Sequence, residues 1–309
     1  MCVVQQAADR MTKNEFPETH KPKNLRRIFF NETELRAGWR YLIFAVIVIA
    51  ILGAKDFFTT RTLMGMDEDI RFLLNEGSAV LAFLFAAWIM GRIEKRTVAV
   101  YGLPWRQLFL GKFWIGIVMG FSAMSLLLIS LHLLGTFNFG TIALHGMEAW
   151  KWAGVYGAVF VLVGLKEEFE YRGYGLFTFS SGMGYWPAVI LWSLVFAVTH
   201  AGNSGENWLG LVNVFAAGIF FALLLQRSGN LWMPIGFHAA WDWAESYFYG
   251  VPDSGQVLPG HLFNSGFSGP VWLSGGTVGP EGSIVCTALL ATLSILLLIV
   301  RPPAASKSL

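Results

Sequence analysis

The chain has 309 residues, 55% hydrophobic and 14% charged. Soluble domains carry about 25% charged residues, so this composition excludes an ordinary soluble domain and implies a polytopic membrane protein. The formal charge is only +2, and no basic stripe with interleaved aromatics appears, so no nucleic-acid partner is expected.

In chain order, residues 1–40 form a polar, mostly basic tail with Arg10, Lys13, Lys21, Lys23, Arg26, Arg27, Arg36 and Arg40. The tail is expected to be disordered or to lie on the membrane surface. No short apolar segment with a small-residue cleavage site opens the chain, so no secretory signal is expected. Cys2 stands where a myristoylation start requires glycine. Cys2 and Cys286 form neither a disulfide framework nor a CxxC signature.

A membrane-crossing helix needs about 20 mostly apolar residues. The apolar runs are Tyr41–Ala54 with its flanks, Phe72–Met90, Phe113–Leu134, Trp152–Leu165, Tyr185–His200, Leu209–Leu225, Leu231–Tyr249 and Ile284–Val300. They predict an all-α polytopic membrane protein of about eight transmembrane helices, with one membrane domain over residues 41–309. The segment 250–283 is rich in glycine and proline and reads as an irregular loop. It is long for a connector, which suggests that it packs over something.

Basic residues orient the spans. The tail, the hinge Arg92–Arg96 with Arg106 and Lys112, the stretch Lys166–Arg172, Arg227, and Arg301 with Lys307 fall on alternate connections. The remaining loops are acidic or neutral, with Asp67, Glu68, Asp69, Glu148, Glu206, Asp253 and Glu281. An even number of spans with both termini in the cytoplasm satisfies the positive-inside bias.

Three clusters interrupt the apolar pattern. The stretch Gly164–Gly173 carries Lys166, Glu167, Glu168, Glu170 and Arg172 at the edge of a span. On a helix Glu168 and Arg172 share a face and can neutralise each other, while Glu167 points about 100° away. The fifth run ends Phe196-Ala197-Val198-Thr199-His200, and the seventh contains His238 and Asp242 four residues apart. Ionisable groups in membrane helices are costly and mark functional sites. Either histidine alone reads equally as an interhelical hydrogen-bonded contact. Together the clusters offer a carboxylate base, imidazoles and a cation, a set suited to activating water against a carbonyl. Glu245 lies on nearly the same face as His238 and reads as a residue near the membrane interface, the alternative being a supporting residue of the His238 site. Ser193 and Thr199 lack a nucleophile-elbow motif. Two other readings remain open: a non-catalytic partner-binding protein, and a transporter with a proton relay. The paired broken helices typical of transporters are not evident.

Glu167-Glu168-x-x-x-Arg172, Phe196-x-x-x-His200 and His238-x-x-x-Asp242, in this order over about residues 150–250, resemble the three-motif signature of the CPBP family. That family includes the type II CAAX prenyl endopeptidases and bacteriocin-immunity relatives. Gly275-Gly276 and Gly279–Gly282 are similar to the glycine-rich last segment of bacterial members. The resemblance implies an intramembrane endopeptidase acting on a membrane-anchored or membrane-threaded polypeptide, in the plasma membrane if the source is bacterial. It implies Glu167 as general base, His200 positioning the water, His238 stabilising the oxyanion and Asp242 orienting His238. Glu168 and Arg172 would be supporting ion-pair partners. The chain departs from the best-studied relatives by carrying Asp242 where they have asparagine. No cofactor is expected; the alternative is zinc held by Glu167, His200 and His238, since zinc takes nitrogen and oxygen ligands. The alternative function is a non-catalytic immunity or partner-binding protein of the same fold.

One geometric demand follows. A fourth helix ending at Leu165 would leave Glu167 near the inner end of its span and His200 near the outer end of the next. Continuation of the fourth helix through Arg172 removes the mismatch better than a re-entrant turn at Gly182–Pro187.

Overall fold

Each apolar run folds as a helix, because hydrocarbon leaves the backbone no hydrogen-bond partners but its own. The structure, a computed structural model, describes residues 26–31, 34–63 and 65–299. The tail residues 1–25, with Cys2, and the C-terminal Arg301 and Lys307 lie outside the described residues. Helix α1 is Ala37–Leu63, α2 Glu68–Glu94 and α3 Gly111–Leu133. Helices α4 (Gly146–Glu167), α5 (Leu176–Met183) and α6 (Tyr185–His200) follow. Helices α7 (Trp208–Ser228), α8 (Trp232–Asp242) and α9 (Ile284–Ile299) complete the bundle. The protein is an all-α polytopic membrane fold. Among the described residues, Ala37–Thr59, Ile70–Glu94, Gly111–Leu133 and Trp208–Ser228 are long and apolar enough to cross a bilayer. Tyr185–His200 and Ile284–Ile299 are apolar but shorter. Ile49, Leu81 and Val118 stand well exposed on the outside of their helices, as lipid contact would have it.

Arg40 belongs to α1 rather than to a tail. It is buried, pairs with Glu34 at 2.8 Å and Glu94 at 3.8 Å, and donates to Ser181 Oγ at 2.9 Å. The pairing cancels its charge, which is why a basic residue is tolerated inside the packing.

Lys166–Arg172 is not one of the basic loops that the charge alternation suggests. A wide π-helical stretch, Glu168–Gly175, runs on from α4 and leads into α5, with a kink at Gly173 (φ −80°, ψ −106°). The helical path therefore reaches Met183. Gly184, at φ +87°, reverses the chain into α6; only glycine takes that conformation without strain. Tyr171 and Thr199 are about equally far along the chain from this turn, and their hydroxyls meet at 2.9 Å. The continuation thus brings Glu167 to the depth of His200, as the geometric demand required.

Helix α8 packs most extensively against α3, and next against α4. Small residues permit it. A Cβ on Gly116 would overlap the Met233 carbonyl oxygen, one on Gly120 that of Phe237, and one on Gly236 that of Phe113. Gly116 and Gly120 form the four-residue glycine spacing that lets membrane helix backbones touch. On the opposite side, a Cβ on Gly164 would stand 3.0 Å from the Ile235 carbonyl, so α4 also lies close against α8. His238 lies on this α4-facing side of α8, its ring stacked on Phe221 of α7.

The segment 250–283 is more ordered than an irregular loop. Strand β2, Phe263–Phe267, pairs antiparallel with β1, Phe137–Ile142. This long-range hairpin anchors the segment over one end of the bundle. The Tyr156 hydroxyl donates to the Pro259 carbonyl and adds a second anchor.

Candidate active site

Glu167, His200, His238 and Asp242 line one cavity of about 310 Å³. Each comes from a helix end or helix interior fixed by packing. Glu167 closes α4, His200 closes α6, and His238 and Asp242 are successive turns of α8. Aromatic rings of Phe160, Phe196, Phe220, Phe221 and Trp241 make up much of the remaining wall.

Glu168 does not line the cavity. It is completely buried behind it, and its Oε1 accepts from Arg172 at 3.1 Å and from His238 Nδ1 at 2.9 Å. A carboxylate paired with a guanidinium is an acceptor, so His238 Nδ1 carries the proton. The ring is thereby fixed with Nε2 toward the cavity. Nε2 lies 3.7 Å from Glu167 Oε2 and 3.7 Å from Asp242 Oδ2. Both distances exceed hydrogen-bond reach. Glu168, not Asp242, is therefore the group that orients the His238 ring. The Arg172 guanidinium lies over Phe196 at 4.2 Å and Phe221 at 5.1 Å, so aromatic faces supply the rest of its environment.

His200 is oriented differently. Its Nδ1 lies 2.8 Å from the Phe196 carbonyl oxygen. A carbonyl only accepts, so Nδ1 donates and Nε2 keeps its lone pair. Thr199 donates to the same carbonyl at 2.8 Å and so accepts from Tyr171, which locks the end of α6. Ser193 is buried within the helix packing and Thr199 is engaged in these bonds; neither is placed as a nucleophile.

Lys166 pairs with Glu76 of α2 at 2.8 Å and approaches Glu167 at 3.6 Å. The strong pair is with Glu76, which leaves Glu167 only loosely held and facing the cavity.

The alternative zinc ligands are in a different arrangement from a zinc site. Zinc gathers its donors about 2 Å from one point. Among the described residues, Glu167, His200 and His238 do not bring three donor atoms within 4.8 Å of one another, and the group that does is Glu245, Asp253 and Glu281.

Those three acids are what a sequence reading of this cavity misses. Glu245 is fully buried, in the wide turn Trp243–Phe248 that continues α8. Asp253 and Glu281, two acids of an outer loop in the sequence, line the cavity together with Ser254, Gln256 and Leu258. Burial and the neighbouring Glu281 carboxylate push the Asp253 carboxyl up to about 7. The length of segment 250–283 was the available signal, and what it packs over is this cavity.

The fold and site define a class: a polytopic α-helical membrane protein with an enclosed Glu/His centre. Residues 149–244, which hold all three motifs, match the family model described as type II CAAX prenyl endopeptidase Rce1-like. The family is one of membrane proteases. No curated protein and no solved structure matches the chain.

Proposed function

We propose that the protein is an intramembrane endopeptidase that hydrolyses a peptide bond with a water activated by Glu167, in a membrane-anchored or membrane-threaded polypeptide. The observation that carries this reading is the approach of Glu167 Oε2 to His238 Nε2 at 3.7 Å on one cavity wall, with the far side of the ring held by Glu168. Water beside that edge can touch both groups. Glu167 takes one proton as the water oxygen bonds to the carbonyl carbon. His238 acts as the imidazolium, with Nδ1–H donating to Glu168 and a second proton on Nε2 beside the Glu167 and Asp242 carboxylates, and donates from Nε2 to the oxyanion. His200, with its free Nε2, holds the water in line. When the tetrahedral intermediate collapses, the C–N bond breaks and Glu167 returns its proton to the departing amine. The products are a carboxylate and an amine, and the centre needs no resident metal for these steps.

The test is substrate trapping. Photocrosslinking a Glu167→Ala variant in native membranes should enrich a membrane polypeptide that the unaltered chain does not retain, and purified unaltered protein should cleave it. A captured partner that the unaltered protein holds equally and never cleaves would favour the partner-binding alternative.

The orientation of the chain is part of the same reading. With Lys166–Arg172 inside the helix, the hinge at residues 92–112 and Arg227 still fall on alternate connections. Both termini are expected in the cytoplasm. Reporter fusions after Leu309 and after Gly140 should then report opposite sides; the same side for both would break the eight-span arrangement.

A further inference from the structure

Three carboxylates that the proposed chemistry does not use converge beside the cavity. Glu245 comes from the turn after α8, and Asp253 and Glu281 come from the two ends of segment 250–283. One carboxylate oxygen of each lies within 4.8 Å of the others. Acidic clusters are common, and by itself this one would mean nothing. Glu245, however, is fully buried and neither of its oxygens has a hydrogen-bond partner. Leaving a carboxylate buried and unpartnered is among the costliest arrangements a fold can keep. The nearby donors are committed elsewhere. Ser246 donates to Asp253 at 2.9 Å, and Ser254 and Trp241 each donate to Glu281 at 2.8 Å. These bonds brace the two loop carboxylates opposite Glu245. Among the described residues, no lysine or arginine forms a salt bridge with any of the three.

We propose that Glu245, Asp253 and Glu281 bind one hard divalent cation, calcium foremost, which clamps segment 250–283 to the end of α8. The donor set is all oxygen, which suits hard cations and not the softer metals that seek imidazole or thiolate. Calcium tolerates irregular geometry and completes its shell with carbonyls and water, whereas magnesium demands a near-ideal octahedron. The clamp has a consequence for the cavity. Asp253 and Glu281 line the same wall space as Asp242, so the cation fixes one side of the chamber without touching the reacting groups.

The test uses the full chain, purified in detergent, stripped with a chelator and titrated with calcium, magnesium or manganese chloride. One calcium per chain should bind, with half-saturation at about 10⁻⁴–10⁻³ M, the range of calcium sites built into extracellular modules. The melting temperature should rise on the order of 5 °C at saturation. Glu245→Gln should abolish both the binding and the calcium-dependent rise, and should melt higher than the unaltered protein in chelator, because one repelling charge is gone. If that variant does not fold, Asp253→Asn gives the same readout. Absence of stoichiometric binding for all three cations would overturn the proposal, as would undiminished binding by both variants. Preference for magnesium or manganese over calcium would overturn the choice of calcium. No readout involves peptide cleavage. A protein that binds the cation but cleaves nothing would keep this site and sink only the protease reading.

Discussion

Glu167→Gln is expected to reduce turnover of the trapped substrate by about 10²–10⁴-fold, the usual contribution of a general base, with little change in melting temperature. The substitution keeps the shape and removes only the ability to accept a proton. Stability should hold because Glu167 is loosely tied. Its contacts with Lys166 at 3.6 Å and His238 at 3.7 Å are both beyond hydrogen-bond reach, while Lys166 keeps its closer pair with Glu76 at 2.8 Å. His238→Ala should cost about 10²–10³-fold, the magnitude of a lost oxyanion donor, and should leave residual activity. Asp242→Asn should preserve or raise the rate. Glu168 already holds the His238 ring at Nδ1, so Asp242 is not needed to orient it, and an amide can donate to an oxyanion where a carboxylate cannot. The measurement is turnover of all three variants in matched detergent, with melting curves as the folding control. Near-normal turnover in Glu167→Gln would remove the base and revive the non-catalytic reading.

The helices were legible in the sequence because bilayer-scale apolar runs have few alternatives. Tyr185–His200 is bounded as the sequence predicts, and the other runs differ mainly by the polar turns at their ends. The candidate site was legible for a related reason: Glu167, His200 and His238 are expensive in apolar surroundings, so they stand out. The path beyond Arg172 was less legible. Five charged residues between 166 and 172 look like a loop when their partners are unknown, and those partners come from elsewhere: Glu76 from α2 and His238 from α8.

Two features could not be read locally at all. The β1–β2 pairing joins Phe137 to Phe267 and Ile142 to Phe263, and nothing in either short stretch names the other. The role of Glu245 depends on Asp253 and Glu281 arriving from a glycine-rich segment whose course is set by that pairing and by positive-φ turns such as Gly279. Periodicity placed Glu245 on the His238 face but gave no account of its depth. Burial of an acid is decided by what covers it, and the cover is a tertiary arrangement.

The Glu168–Arg172 pair should separate stability from catalysis. Glu168→Leu is expected to destabilise the protein by about 3–5 kcal/mol, the cost of breaking a buried ion pair from one side. Arg172 would then be left almost entirely buried, with aromatic faces at 4.2 and 5.1 Å and, among the described residues, no second ion-pair partner beyond Glu168. Adding Arg172→Met removes the stranded cation. Replacing both charges with apolar groups of similar volume is often neutral for stability, so the double variant should recover most of the lost melting temperature. It should not recover turnover. In both variants His238 loses the carboxylate at 2.9 Å that fixes its Nδ1 proton and its rotation, and activity should stay about 10–100-fold down, the loss typical when a group that holds a functional histidine is removed. Conservative Glu168→Asp in the otherwise unaltered chain should restore part of the rate, because a shorter carboxylate can still accept from the ring. Melting curves and turnover of the single, double and conservative variants form one cycle. Recovery of full turnover in the apolar double variant would show that Glu168 serves only the fold and would leave His238 without its proposed holder.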